Sequence, residues 1–179
     1  MMNGKGGKGM ISFLKGLKAI REFKPDPLPD EVLADVLEVG RWSGSAKNVQ
    51  PWEFIVVRDR DTLSTLSELK GYAKHLKGAA LAVVLVMEGS NDEGETYDEG
   101  RVSERMMLAA AAHGVGSSIG WFTPEDRPRA KEILGAPQER TLRTAISFGY
   151  PTVQALRPRQ APGQARKPLA EIVHEERYT

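Results

Sequence analysis

Cationic side chains near both ends of the sequence are the groups best suited to chemistry. Lys18 and Arg21 stand three apart in KAIREF, and Arg166 and Lys167 are adjacent near the C-terminus. Guanidinium and ammonium groups compensate the lost hydration of a dianion through charge-assisted hydrogen bonds, so together they could capture a phosphate. A helical turn would bring Lys18 and Arg21 to one side; alternatively, Arg21 makes an ordinary surface ion pair. Ser45 and Asn48 lie in the small and polar stretch WSGSAKNVQP. They either shape a turn, with Asn48 bonding its own backbone, or offer hydrogen bonds to a ligand. Gly116 to Trp121 can bring backbone close to a ligand, since glycine permits near approach. Trp52 and Trp121 read either as ligand contacts or as core.

Other chemistries find little support. There is no cysteine, which excludes thiol catalysis, cysteine-bound zinc and iron–sulfur clusters. His75, His113 and His174 lack metal-ligand spacing and read as surface or helix-end residues. HExxH does not occur. Asp92, Glu93, Glu95, Asp98 and Glu99 read as a solvated charged face. GKGGKGM is a poor phosphate loop, because no strand precedes it and no Ser or Thr follows its second Lys. The net charge of +1 gives no field that would gather nucleic acid or anionic lipid. The longest apolar run, Ala79 to Met87, is too short to span a bilayer, and the N-terminus lacks a secretory pattern. The expectation is a cytoplasmic protein that binds neither nucleic acid nor membrane.

The elements that must position these groups follow from periodicity. Residues 1–10 read as a disordered tail, 11–151 as one domain, and 152–179 as a Pro- and Arg-rich arm. Helices are expected at about Ile11–Ile20, Asp30–Val39, Asp61–Leu69, Arg101–His113 and Pro124–Leu134. Strands are expected at Glu53–Val57, Ala79–Met87, Ser117–Trp121 and Thr141–Phe148. EGSNDEGETYDEG reads as a mobile acidic connector. The arm's single apolar cluster, Leu169, Ile172 and Val173, sits at its far end, which favours embracing a second subunit over docking back on the same monomer.

Three separated segments resemble the nitroreductase family. KAIREF, Lys18 to Phe23, resembles its N-terminal basic motif; SGSAKNVQPWEFIVV, Ser43 to Val57, resembles its loop entering a strand. RKPLAEIVHEERY, Arg166 to Tyr178, is similar to its C-terminal signature. HGVGSSIGWF and ISFGYP resemble its glycine-rich turn and last core strand. The resemblance implies an α+β fold with a central, mostly antiparallel sheet flanked by helices, in an intertwined homodimer. It also implies non-covalent FMN, NADH or NADPH as electron donor, and a small-molecule acceptor such as a nitroaromatic or quinone, reduced in a ping-pong reaction.

The residues it places around the cofactor are Lys18, Ala19, Arg21, Ser45, Ala46, Asn48, Gly120, Trp121, Arg166 and Lys167. By resemblance, Lys18 and Arg166 meet the phosphate and Arg21 lies near N1 and O2 of the ring. The partner subunit supplies the Ser45–Asn48 loop, and a backbone N–H of Gly120 or Trp121 bonds N5. No catalytic side chain and no metal ligand is implied. Leu17 and Ala19 depart from the family's Arg and Ser, which removes a charge and a hydroxyl from the phosphate site. The alternative is a flavin-binding protein that senses or stores and turns over little.

Overall fold

A computed structural model describes residues 4–157 and 166–178. Its centre is a four-stranded sheet of β1 (Trp52–Val57), β2 (Leu81–Met87), β3 (Gly116–Trp121) and β4 (Thr141–Gly149), ordered β1-β2-β4-β3. Every neighbouring pair is antiparallel. All seven residues of β2 are buried, which is why its sequence is continuously apolar rather than alternating. β1 and β3 form the edges.

Helices cover both faces, as an α+β sheet with two apolar faces requires. On one face lie α2 (Asp30–Arg41) and α4 (Asp92–Ala112), whose Val32, Val36, Val102, Met106 and Ala110 pack against Leu81, Val83, Leu85, Ile146 and Phe148. On the other face lie α3 (Arg60–Glu68) and α5 (Arg127–Leu134). There Leu63, Leu66 and Ala130 meet Ala82, Val84, Val86 and Leu142. Local signals set the ends of these helices. Asp59 caps α3 by accepting the Thr62 N–H at 2.8 Å, and Gly135 closes α5 at φ 65°.

Three expectations fail. The first helix, α1, spans Gly4–Gly16, so it begins inside the supposed tail and stops before KAIREF. Residues after Gly16 instead run along the edge of β3, with Ile20 N–H donating to the Ser117 carbonyl at 2.8 Å. Ile20 can lie there because Gly116 has no side chain: a Cβ would stand 2.7–2.9 Å from Ile20 carbons. The edge contact takes the segment out of the helical register.

The acidic connector is not a loop either. Asp92–Gly100 forms the first turns of the 21-residue α4, capped by the Asn91 side chain, which accepts the Gly94 N–H at 3.2 Å. Three of its acids, Glu95, Asp98 and Glu99, are buried rather than solvated. A short helix, α6 (Val153–Leu156), opens the expected arm. Residues 158–165 of that arm, and 1–3 of the tail, lie outside the described residues. No helix is long and apolar enough to cross a membrane among the described residues.

Candidate functional site

Residues far apart in the chain meet at one hollow. A hollow of about 520 Å³ is walled by Gly16 to Ile20, the second half of α4 (Glu104, Met107, Ala111), Gly114 to Ser117, Pro151, Leu156 and Arg166. Lys18 and Arg166, 148 positions apart in sequence, therefore share one cavity. Lys18 Nζ donates to the carbonyls of Leu156 at 2.8 Å and Arg157 at 3.1 Å, closing the last turn of α6. The stretch from Ile20 to Lys24 is stitched on two sides. Besides the Ile20 bond, Lys24 N–H donates to the Tyr150 carbonyl at 2.8 Å, and Phe23 bridges Pro151.

Extended backbone alternates its side chains. Lys18 and Arg21 therefore do not share a helical face as the spacing implied. Lys18 lines the large hollow, whereas Arg21 lines a smaller adjoining one of about 290 Å³ with Gln154 and Arg157. Ala19 borders both. Leu17 also lines the large hollow, so an apolar group occupies the wall where the resemblance leads one to expect a cation. Lys167 is exposed and outside this lining.

Ser45, Ala46 and Asn48 do not line the hollow. They form a short 3-10 turn with three non-glycine residues in the left-handed region, Lys47 at φ 52°, Asn48 at φ 58° and Gln50 at φ 55°. Such conformations persist only where surroundings enforce them. Here Ser45 Oγ accepts the Gln50 N–H at 2.8 Å, and Gln50 Nε2 donates to the Asn48 carbonyl at 3.2 Å. From α4, Arg101 donates to the Gly44 carbonyl at 2.6 Å and Arg105 to the Trp42 carbonyl at 2.8 Å. The loop is thus tied to α4 and lies outside the lining of the hollow that Lys18 borders.

β3 supplies backbone. Phe122 N–H donates to Arg143 of β4, while the carbonyls of Ser117 and Trp121 accept from Ile20 and Tyr72 outside the sheet. Antiparallel ladders alternate their bonding direction, so odd-numbered residues of β3 direct N–H and C=O outward and even-numbered ones toward β4. Gly120 therefore points into the ladder opposite Ala145, and Trp121 points outward. The Trp121 ring is capped by the Arg127 guanidinium at 5.1 Å. Trp52 is buried in the core, which answers its ambiguity in favour of packing.

Two groups escaped sequence reading. His75, expected at a surface or helix end, is buried in a 3-10 turn beside β3, with Nδ1 2.8 Å from Ser147 Oγ. Burial first, and the Arg21 charge second, push its pKa below the usual imidazole range. Glu99 is the other. A bulge places Arg143 and Thr144 opposite the single Leu85, and Arg143 reaches α4 to pair with Glu99 at 2.8 Å and Asp92 at 2.9 Å. Burial pushes Glu99 up to about 7 despite the Arg143 charge. No sequence period reveals a bulge, so this pairing was legible only in three dimensions. Among the described residues, no cluster of three or more His, Asp or Glu could hold a metal.

Comparison with known proteins points one way. A sequence profile described as Nitroreductase family matches residues 14–92. The chain is 41% identical to nitroreductase NfnB of Mycolicibacterium smegmatis, covering 76% of this chain and 80% of that one. An NADH dehydrogenase of Thermus thermophilus is 27% identical, over 75% and 82% of the two chains. Among solved structures, an FMN-dependent nitroreductase of Clostridium difficile superposes with a TM-score of 0.79 at 27% identity, covering 94% of this chain and all of that one.

Proposed function

The chain belongs to the nitroreductase family, and from that premise we propose that it is an FMN-dependent oxidoreductase fed by NADH or NADPH. The observation that carries this reading is the convergence of Lys18 and Arg166, from opposite ends of the chain, on one hollow bordered by Gly116 and Ser117. The donor set fits the group. A phosphate dianion requires fixed cations, and a hollow of about 520 Å³ lies within the usual range for small-molecule sites. Bound there, FMN supplies the acceptance and donation of hydride, which no side chain can do.

The protein's own residues bind, orient and tune. Lys18 and Arg166 neutralise the phosphate, and Ala19 lets it approach the backbone. Arg21, on the adjoining hollow, is the cation that stabilises negative charge developing on reduction. Trp121, with its N–H directed outward from β3, is the backbone donor to the reacting edge; Gly120, turned into the ladder, is not. No side-chain acid or base is assigned.

We place Ser45, Ala46 and Asn48 against the partner's cofactor, in a homodimer. Their absence from the lining of the Lys18 hollow supports this, as does the apolar tip of the arm. Leu169, Ile172 and Val173 are each more than half exposed in the single chain. The acceptor is a small electron-poor molecule of the nitroaromatic or quinone class.

One anaerobic titration tests the whole reading. Purified protein saturated with FMN should lose its yellow colour on adding NADH or NADPH and regain it on adding a nitroaromatic or quinone. Retained FMN that neither nicotinamide bleaches would indicate a sensing or storage protein, and failure to retain FMN would overturn the proposal.

A further inference from the structure

Two arginines of α4, four residues apart and so on one side of the helix, grip the entry to the Ser45–Asn48 loop. Arg101 donates to the Gly44 carbonyl at 2.6 Å and Arg105 to the Trp42 carbonyl at 2.8 Å. Asp98, buried one turn earlier on α4, lies 3.5 Å from the Arg101 guanidinium and fixes its direction. Gly44 admits the guanidinium, since a Cβ there would stand 3.1 Å from Arg101 Nη1. Just before the loop, Gly40 lies against the Met106 side chain with no room for a Cβ, so backbone and helix meet closely along the whole seam.

The loop requires such an anchor. Lys47, Asn48 and Gln50 hold positive φ without being glycine, and conformations of this kind relax unless their surroundings enforce them. The bonds from Gln50 to Ser45 and Asn48 fix the loop's shape, but they do not fix its place on the protein. Its exit is held by the sheet, where Glu88 N–H donates to the Pro51 carbonyl at 2.9 Å. Its entry is held by Arg101 and Arg105. Between these two arginines in sequence, Glu104 walls the hollow that Lys18 and Arg166 border. In a dimer that shares its sites, one turn of α4 therefore serves both: its own hollow through Glu104, and the opposite one through the loop.

We infer that Arg101 and Arg105 are positioning residues for the flavin bound by the opposite subunit, acting across the dimer through the Ser45–Asn48 loop, whereas Lys18 acts within its own chain. The inference rests on the proposed function, and its test separates the two. Wild type, Arg101→Met, Arg105→Met and the double variant are titrated with FMN, with thermal melts and sedimentation to verify folded dimers. Loss of a hydrogen bond from a charged donor should weaken FMN binding by roughly 10-fold in each single variant. Arg101→Lys and Arg105→Lys should restore most of the affinity, because each carbonyl takes a single bond that an ammonium can also give.

Mixed dimers, isolated from two differently tagged chains, give a readout that a merely structural role would not move. With Lys18→Ala on one chain and the double arginine variant on the other, both defects fall on one site. The second site is then intact and binds one FMN per dimer with wild-type affinity. With all three substitutions on one chain and a wild-type partner, each site carries a defect and no wild-type site remains. These mixed dimers also carry the test if the double variant does not fold as a homodimer. The reverse pattern, the same binding in both mixed dimers, or wild-type affinity in folded double-variant dimers overturns the inference while the flavin reading stands. Wild-type protein that binds no FMN overturns the functional proposal itself.

Discussion

Lys18 and Arg166 are expected to matter through charge. Hydrogen bonds to charged groups contribute roughly 1.5–3 kcal/mol, so Lys18→Ala and Arg166→Ala should each weaken FMN binding about 10- to 100-fold. Riboflavin affinity should barely change, because the lost partner faces only the phosphate; fluorescence titration with both ligands checks this. Glu99 belongs to the same scale. Its folded pKa of about 7 lies above the ordinary 4.5, so the folded chain holds this proton more tightly than the unfolded chain. The resulting stabilisation is complete below pH 4.5 and is lost as pH rises through 7. Urea unfolding of wild type and Glu99→Gln at pH 4.5 and 8 should therefore show the variant gaining on wild type at the higher pH. A difference independent of pH would contradict the assignment. The sequence reading grouped Lys18 with Arg166, which do border one hollow, but it placed His75 and Glu99 in solvent because nothing local marks a residue as buried.

The decisive element is the extended stretch from Leu17 to Lys24, strapped to β3 at one end and to Tyr150 at the other. Its seat on β3 depends on Gly116. Gly116→Ala would force a Cβ to within 2.7 Å of Ile20, and three of that side chain's carbons crowd the position. Overpacking of this kind typically costs about 1–3 kcal/mol. The variant should melt earlier and also retain less FMN, since displacing Ile20 displaces Lys18 and Arg21. Equal FMN affinity in a folded Gly116→Ala protein would show that the strap does not position the site. α4 shows why this scale misleads sequence reading. Its first turns are acidic, and a run of charges usually faces water. Here Glu95 instead accepts the N–H groups of Gly89, Ser90 and Asn91, and Arg143 neutralises Glu99, so the charges fold inward.

At the scale of the whole molecule, the proposed function requires a second copy of the chain to complete the site. The strained Ser45–Asn48 loop does not line the Lys18 hollow, and the arm ends in exposed apolar residues. A second copy answers both. Sedimentation of the full chain should give a dimer, and a chain ending before Arg166 should sediment as a monomer and lose FMN together. Because bound partners stabilise the folded state by mass action, the melting temperature of the full chain should also rise with protein concentration. A monomeric full chain that still binds FMN would refute the shared site.

The sequence by itself determined the fold class, the four strands, most of the helices and the residue types available to a site. Those depend on apolar period and on residue type, which are written locally: β2 is apolar throughout because it is central, and the cations are cations wherever they fold. Tertiary structure alone decided which way each group points. It straightened KAIREF along β3 and sent Lys18 and Arg21 to different hollows. It also turned Trp121 rather than Gly120 outward, and it buried His75 and the acids of α4. Direction follows from ladder parity, a one-residue bulge and close backbone contact at Gly116, and each of these joins residues far apart in the chain.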